Sequence, residues 1–529
     1  MPLREQATGQ VALDTPSARP RDRESPTEPG ALLDRGRSWL RSPILILVLG
    51  CIALAALSAA VLPTVPSYDP WSWIVWGREV VDPHLSFVTG GGPSWKPLPV
   101  IFTTVFALFG GAAPTLWVII ARVGGLLALV AAWRLAARIA GGAEWAAGDD
   151  NGGPRLVAAL AGMVAVLGLL LTQDFFYFMF RGTSEPMLVA ATLWSIDRLL
   201  ERRHGQAFAI GVALALMRPE AWPFLGLYAL WLWSRQPRMR VPVVLGLLAI
   251  PVFWFVPTWI GSGQPFLAAT HARDYNGHLG TQPVITALRR AVGLQVAPVL
   301  VGAAVAVVLT WLRERDRLTL LLAAGAVAWI AIVVAMVIDG YPGLERFFLP
   351  ASALLCVLAG VGVARVAVIA ARWVAPAFGG GATWLRVVTV AVVAVLIAVS
   401  IPLSSSRISA ARAAKPAADR AVTILDQLSA AVRAVGGHAG VFPCRSSVAA
   451  VNHGVQTALA WKLHVTLTRV GTVLRRPGIV FIGPHNSVDG GPAPVNRRLT
   501  QMQVLARVGV WEVVRYTRPG APSDACAGR

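Results

Sequence analysis

Charge is what this sequence has least of. Only 14% of its 529 residues are Asp, Glu, Lys or Arg, about half the share of a water-soluble protein, and that deficit excludes a soluble globular chain. Four cysteines in such a length exclude a small disulfide scaffold, and an apolar content of 55% excludes disorder over most of the chain. No glycine-rich phosphate loop follows a strand, so no nucleotide site is visible. Cys and His show no zinc-type spacing, and no internal repeat of the kind found in secondary transporters stands out. Lysine is nearly missing, with three copies against 44 arginines.

What is present is apolar length. Runs long enough to cross a bilayer succeed one another between residues 43 and 403, and eleven crossings are expected: Pro43–Leu62, Pro114–Arg138, Arg155–Thr172, Pro186–Leu200, Ala207–Met217, Pro219–Ser234, Val241–Ile260, Leu294–Leu312, Leu318–Ile338, Phe347–Ala371 and Leu385–Leu403. The fourth to sixth are short. Every second connection is arginine-rich, as at Arg134/Arg138/Arg155 and Arg198/Arg202/Arg203. The positive-inside rule then puts the N-terminus in the cytoplasm, with residues 1–42 as a disordered cytoplasmic tail rather than a signal peptide.

An odd number of crossings exports residues 404–529. This segment reads as a small α/β domain, with a helix over Ala410–Val435 and strands at Gly440–Cys444, Gly478–Gly483 and Val510–Tyr516. The turn signals Arg476-Pro477-Gly478 and Asp489-Gly490-Gly491-Pro492 separate them. Cys51 and Cys356 lie inside apolar runs as inert thiols. Cys444 and Cys526 share the exported segment, where a disulfide between them is expected. His438, His453, His464 and His485 are irregularly spaced and read as satisfied surface histidines. The fold class is thus a polytopic helical membrane protein with a small C-terminal α/β domain, organised as 1–42, 43–403 and 404–529.

Ionisable residues that orientation does not explain gather at outer helix ends, where they default to functional hypotheses. The first external segment, 63–113, carries Asp69, Arg78, Glu79, Asp82, His84 and Lys96 among Trp71, Trp73, Trp76 and Trp95. Asp69 sits at the mouth of an amphipathic helix over 71–81, as its N-cap or as a functional acid. Lys96 opens a run of about a dozen apolar residues, too short to span, and is a snorkelling anchor or a deliberate point charge. Arg181 and Glu185 join the third and fourth spans, Arg218 and Glu220 the fifth and sixth, and Glu345 and Arg346 open the tenth. Local ion pairs, Arg218 with Glu220 and Arg346 with Glu345, are one reading. The other is a single cavity lined by carboxylates, Lys96, Arg181, Arg218 and Arg346, which suits an anionic phosphate and a hydroxyl to be activated.

In order along residues 43–370, these features resemble the membrane-embedded C-type (GT-C) glycosyltransferases, such as aminoarabinose transferases and protein O-mannosyltransferases. Asp69 takes the place of the early acid of the first loop, and Lys96-Pro97-Leu98-Pro99 leading into Phe106–Gly110 is similar to the following Lys-Pro step. Ala121–Leu126 and Leu135–Arg138 are similar to the second span, Glu185-Pro186-Met187 to an Asp-Pro entry, Arg218-Pro219 after Gly211–Leu216 to a basic residue, and Arg346–Pro350 to an Arg-Tyr-x-x-Pro entry. Two departures stand out: Trp95 replaces an acid before the Lys-Pro, which leaves Glu79, Asp82 and Glu185 as candidates for a second carboxylate, and Glu185 replaces Asp.

The resemblance implies a transferase in the bacterial cytoplasmic membrane that takes a sugar from a polyprenyl-phosphate donor. The acceptor would be an envelope glycan, lipid or protein on the outer face, and the anomeric centre would invert. Asp69, with Glu79 or Glu185, would be catalytic; Lys96, Arg181, Arg218 and Arg346 would hold the donor phosphate; Tyr68, Trp73, Trp95 and Glu220 would line the pocket. A divalent cation, Mg or Mn, would sit on Asp69 and Glu185 as in some relatives; others do without. The competing classes are a multi-pass transporter and a non-catalytic lipid-binding membrane protein. Of the net charge of +20, the inner-loop arginines account for much, and the exported segment, with 16 Lys+Arg against 5 Asp+Glu, faces membrane lipids or an acidic envelope polymer rather than nucleic acid.

Overall fold

Lipid leaves a backbone no partner but itself, so apolar runs fold as helices, and proline in the first turn starts several of them. The computed structural model describes residues 43–142, 153–274, 279–314, 316–374, 382–484 and 492–519. The expected N-terminal tail lies outside them. Contacts divide the chain into two units, Met1–Gly50 and Cys51–Arg529; the candidate site described below belongs to the second.

The helices are α1 (Pro43–Val61), α2 (Tyr68–Val81), α3 (Pro97–Ala107), α4 (Ala113–Gly141), α5 (Gly153–Leu170), α6 (Phe175–Phe180), α7 (Glu185–Leu200), α8 (His204–Ala215), α9 (Trp222–Arg235), α10 (Arg240–Ser262), α11 (Leu267–Asp274), α12 (Pro283–Gly293), α13 (Ala297–Leu309), α14 (Arg317–Ile338), α15 (Leu349–Val374) and α16 (Ala382–Leu403). A helix occupies each of the eleven apolar stretches read from the sequence. Among the described residues six are long and apolar enough by themselves to cross a membrane, and α12 with α13, bent by 92°, makes up to seven. Length separates the rest: α7 has 16 residues, about 24 Å at 1.5 Å each, and α5 and α8 are apolar but short.

Small residues set the helix spacing, as expected where dispersion rather than water drives association. A Cβ on Gly360 would strike the Ala161 carbonyl of α5, and one on Gly362 the Gly302 carbonyl of α13, so α15 lies directly against both. The same device joins α2 to α3: Gly77 leaves no room beside the Thr103 carbonyl, and Thr103 Oγ1 donates to the Trp73 carbonyl at 2.6 Å.

The far end of α7 carries a charge cluster. Asp197 is fully buried and pairs with Arg198, with Arg134 at 3.4 Å and with Arg138 at 3.3 Å; Glu201 adds Arg134 at 3.0 Å and Arg198 at 2.8 Å. Two arginine-rich connections read separately from the sequence therefore meet at one end of the bundle. Asp197→Asn leaves the buried Arg198 guanidinium short of a counter-charge, which costs about 3 kcal/mol. A lower unfolding temperature at unchanged helix content, followed by circular dichroism in detergent, checks this.

From residue 404 onward, α17 (Ser405–Ala434) and α18 (Gly437–Val441) precede β1 (Ala449–Val451), α19 (Gln456–Lys462), β2 (Val470–Gly471), β3 (Gly478–Ile482), β4 (Gln501–Val508) and β5 (Trp511–Thr517). The sheet order is β2-β1-β3-β5-β4. β1 is parallel to both β2 and β3, and the β3–β5 and β4–β5 pairs are antiparallel. Trp511 Nε1 donates to the Ile424 carbonyl at 2.8 Å and pins the sheet to α17.

The strand expected at Gly440–Cys444 does not form. Gly436 and Gly437 have φ of 87° and 64°, which starts the short helix α18, and Pro443 then removes a ladder donor. Cys51 and Cys356 are free and buried. Cys444 is disulfide-bonded; Cys526, its expected partner, lies outside the described residues, as do His485 and the turn residues Asp489-Gly490-Gly491.

Candidate active site

Four separate stretches converge at the Glu185 end of α7. Asp69 lies in the first turn of α2, whose N-cap is Ser67, so the acid is not the cap. Its Oδ2 accepts from Arg346 Nη1 at 2.9 Å. Glu185 opens α7 with Pro186 behind it, and its side chain is 1% exposed against 14% for Asp69. One oxygen of Glu185, Oε1, collects three cations: Arg218 Nη2 at 2.6 Å, Arg346 Nε at 3.9 Å and Lys96 Nζ at 4.0 Å.

Each cation is held from behind. Lys96, the N-cap of α3, donates to Ser184 Oγ at 3.3 Å and stands 5.0 Å from the Trp73 ring centre. Arg218 lies 4.5 Å over the Phe347 ring, which Arg346 approaches at 5.9 Å. Glu220 stands 3.9 Å from Arg218 Nη1. Burial pushes Lys96 down to about 7, with Arg218 and then Arg346 adding to the push and Glu185 and Asp69 opposing it.

The local ion pairs considered from the sequence are not the main ones. Arg218 is closer to Glu185 than to Glu220, Arg346 pairs with Asp69, and Glu345 turns to Arg290 at 3.1 Å. Thus Asp69, Glu185, Lys96, Arg218 and Arg346 form one cluster, with Glu220, Trp73 and Tyr68 against it. Arg181 joins through its backbone, whose carbonyl accepts from the Ser67 N–H at 2.9 Å, and Gly182 turns the chain there with φ of 64°. Ser184 and Phe347 belong to the site and were not singled out in the sequence, although Phe347 lies within the Arg346–Pro350 stretch that was.

Two expected members lie elsewhere. Trp95 packs against Trp76 and Phe87 at 5.3 and 5.8 Å and donates to the Phe253 carbonyl at 3.0 Å, a framework role. Glu79 is buried ten residues beyond Asp69 on the same helix, and its Oε2 accepts from the Val88 N–H at 3.0 Å. Burial pushes Glu79 up to about 7, against the N–H groups of Val88 and Leu467 and the Arg78 guanidinium. A native carboxyl that binds its proton more tightly than an unfolded one loses stability as pH rises from 4.5 towards 7. Glu79→Gln is therefore expected to raise Tm by a few degrees at pH 8 and to leave it unchanged at pH 4. Scanning fluorimetry at the two pH values checks it, and an equal shift at both would assign the effect to packing.

A divalent cation bridging Asp69 and Glu185 does not fit. The Arg346 guanidinium stands 2.9 Å from one carboxylate and 3.9 Å from the other, so the bridging position is already cationic. Among the described residues no group of three His, Cys, Asp or Glu side chains has a metal-holding arrangement.

The C-terminal region clamps α2. Arg78 stacks 4.6 Å over Trp461 and donates to the carbonyls of Trp461 and Val465 at 3.1 and 2.8 Å. His464 Nε2 meets Asp82 Oδ2 at 2.8 Å, and Thr457 Oγ1 donates to the Tyr68 carbonyl at 2.9 Å. The helix that carries Asp69 is thus fixed along its length.

No family model matches the chain, and no curated protein does. Among solved structures, the chain is similar to ArnT from Cupriavidus metallidurans, at 16% identity with a TM-score of 0.49 over 91% of this chain and 98% of the apo protein, and at 15% with 0.48 over 90% and 98% for the form bound to undecaprenyl phosphate.

Proposed function

We propose that this protein is an integral-membrane glycosyltransferase. It moves a sugar from a polyprenyl-phosphate donor to a hydroxyl of an envelope glycan, lipid or protein on the outer face of the cytoplasmic membrane, with inversion. The observation that carries the reading is the cluster itself: a partly exposed carboxylate, Asp69, and a buried one, Glu185, joined by Arg346, with Lys96 and Arg218 gathered at Glu185.

The two acids divide the work by environment. Glu185 is buried and shared by three cations, so it orders them rather than accepting a proton. Asp69, at the exposed edge, orients the acceptor hydroxyl and takes its proton as the oxygen attacks the anomeric carbon. The bond from that carbon to the phosphate oxygen breaks, its electron pair stays on the phosphate, and Lys96, Arg218 and Arg346 stabilise that charge. One displacement inverts the centre. Residues 43–403 form the membrane part and 404–529 the exported part, with the N-terminus cytoplasmic, since the arginine-rich cluster at Arg134, Arg138 and Arg198 lies at the other end of α7.

The test is transfer in vitro: purified protein in lipid nanodiscs, a set of radiolabelled polyprenyl-phosphate sugars, and an envelope extract as acceptor. Label passing to a polar product supports the reading. Uptake of label into sealed vesicles without transfer would instead assign the protein to the transporters.

A further inference from the structure

The C-terminal region does more than brace α2. Tyr68, the residue before Asp69, is tied to that region by three contacts. Its hydroxyl donates to Gln456 Oε1 at 3.1 Å, its carbonyl accepts from Thr457 Oγ1 at 2.9 Å, and its ring lies 4.2 Å from the His453 ring at an angle of 37°. Gln456 is in turn fixed by donating to the Val470 carbonyl at 2.6 Å. The phenol proton is therefore spent within the protein, and what Tyr68 offers a ligand is its ring.

His453 differs from its neighbours. His438 is 3.0 Å from the Leu463 carbonyl and His464 is paired with Asp82, so both behave as satisfied surface histidines. His453 is exposed and its imidazole nitrogens make no hydrogen bond among the described residues. Its ring packs tilted on Tyr68, and the water lost on that covered side lowers its proton affinity while Asp69 opposes the shift. In its neutral form the ring presents one donor and one acceptor.

Resting on the transfer reading above, we propose that Tyr68 and His453 form the subsite for the acceptor's sugar ring. Two tilted flat rings with a free donor and acceptor match a sugar, which has apolar C–H faces and a rim of hydroxyls. The subsite lies on the C-terminal-region side of Asp69, whereas Lys96, Arg218 and Arg346 reach the cluster from parts of the chain that precede that region. A ring bound there sets a hydroxyl beside Asp69 without competing for the phosphate cations. His453 acts as a positioning residue: it holds the acceptor and takes no part in the bond that breaks.

The experiment uses full-length protein in nanodiscs and two soluble probes, methyl α-mannopyranoside and methyl α-arabinofuranoside, with binding read by saturation-transfer NMR. His453→Ala is expected to weaken binding of at least one probe about tenfold, the scale of one lost hydrogen bond. His453→Asn, which restores a donor and an acceptor, recovers part of it. In transfer assays the acceptor KM rises about as much while kcat holds. Equal binding by parent and His453→Ala, no binding of either probe by the parent, or a loss confined to kcat overturns the subsite. Probe binding that needs His453 in a protein that transfers no sugar would retain the subsite and remove the transferase reading. Transfer indifferent to His453 would do the reverse.

Discussion

Asp69→Asn is expected to leave a folded protein that binds donor yet transfers sugar about 10²–10⁴-fold more slowly, the usual span for loss of a general base. The substitution keeps the shape and leaves Arg346 a carbonyl oxygen to bond, so what disappears is the charge. Arg346 is 29% exposed and Asp69 14% exposed, which makes theirs the most solvent-accessible ion pair of the cluster. Donor phosphate competes for Arg346, and the displaced carboxylate turns to the acceptor. The loss therefore falls on kcat, with donor KM little changed. Initial rates at saturating donor measure it, with Glu79→Gln, on the same helix but outside the cluster, keeping the parental rate. Full activity in Asp69→Asn would place the base elsewhere and remove the mechanism.

Much of this site was legible because cost marks it. An ionisable group at the end of an apolar helix is expensive, so Asp69, Lys96, Glu185, Arg218 and Arg346 stand out in the chain one by one. Their partners were not legible. Asp69 and Arg346 are 277 residues apart, and nearer pairings, Arg346 with Glu345 and Arg218 with Glu220, were equally good on paper. Only the fold, which brings the first turns of α2 and α7 within reach of Arg346, decides between them. Glu79 and Trp95 misled for a related reason: both are polar or aromatic residues in the right loop, but the loop folds back so that one meets Val88 and the other Phe253. His453 was invisible as a site residue because its neighbour, Tyr68, is supplied by the opposite end of the chain.

The same contrast holds for the fold. Apolar runs announce helices through length and period, and a helix stands at all eleven. The sheet is harder: β1 and β2 have three and two residues, too few to show alternation, whereas β3 and β5 are β-branched runs bounded by turns. Gly440–Cys444 has a strand's apolar residues, but the left-handed Gly436 and Gly437 before it commit the chain to a helical turn.

Lys96→Met is expected to lower donor kcat/KM about 10²–10³-fold, the scale seen when one charge-stabilising donor is removed from a reacting centre. Lys96 is the cation most sensitive to pH. With burial holding it near 7, the free enzyme carries the ammonium below that pH and loses it above, so parental kcat/KM for donor falls about tenfold per unit on the alkaline side. Bound phosphate restores proton affinity, and kcat at saturating donor therefore holds to higher pH than kcat/KM. Lys96→Arg replaces a group that titrates with one that does not, and it removes the alkaline limb. Its overall rate is lower, because a planar guanidinium does not fit the point-charge slot between Ser184 and Trp73. Glu79 and His453 also titrate in the acid-to-neutral range, and this comparison separates them: neither is changed in Lys96→Arg, so an alkaline limb that survives the substitution belongs to one of them and not to Lys96. Initial rates from pH 5.5 to 9 in steps of half a unit, at limiting and at saturating donor, supply both profiles.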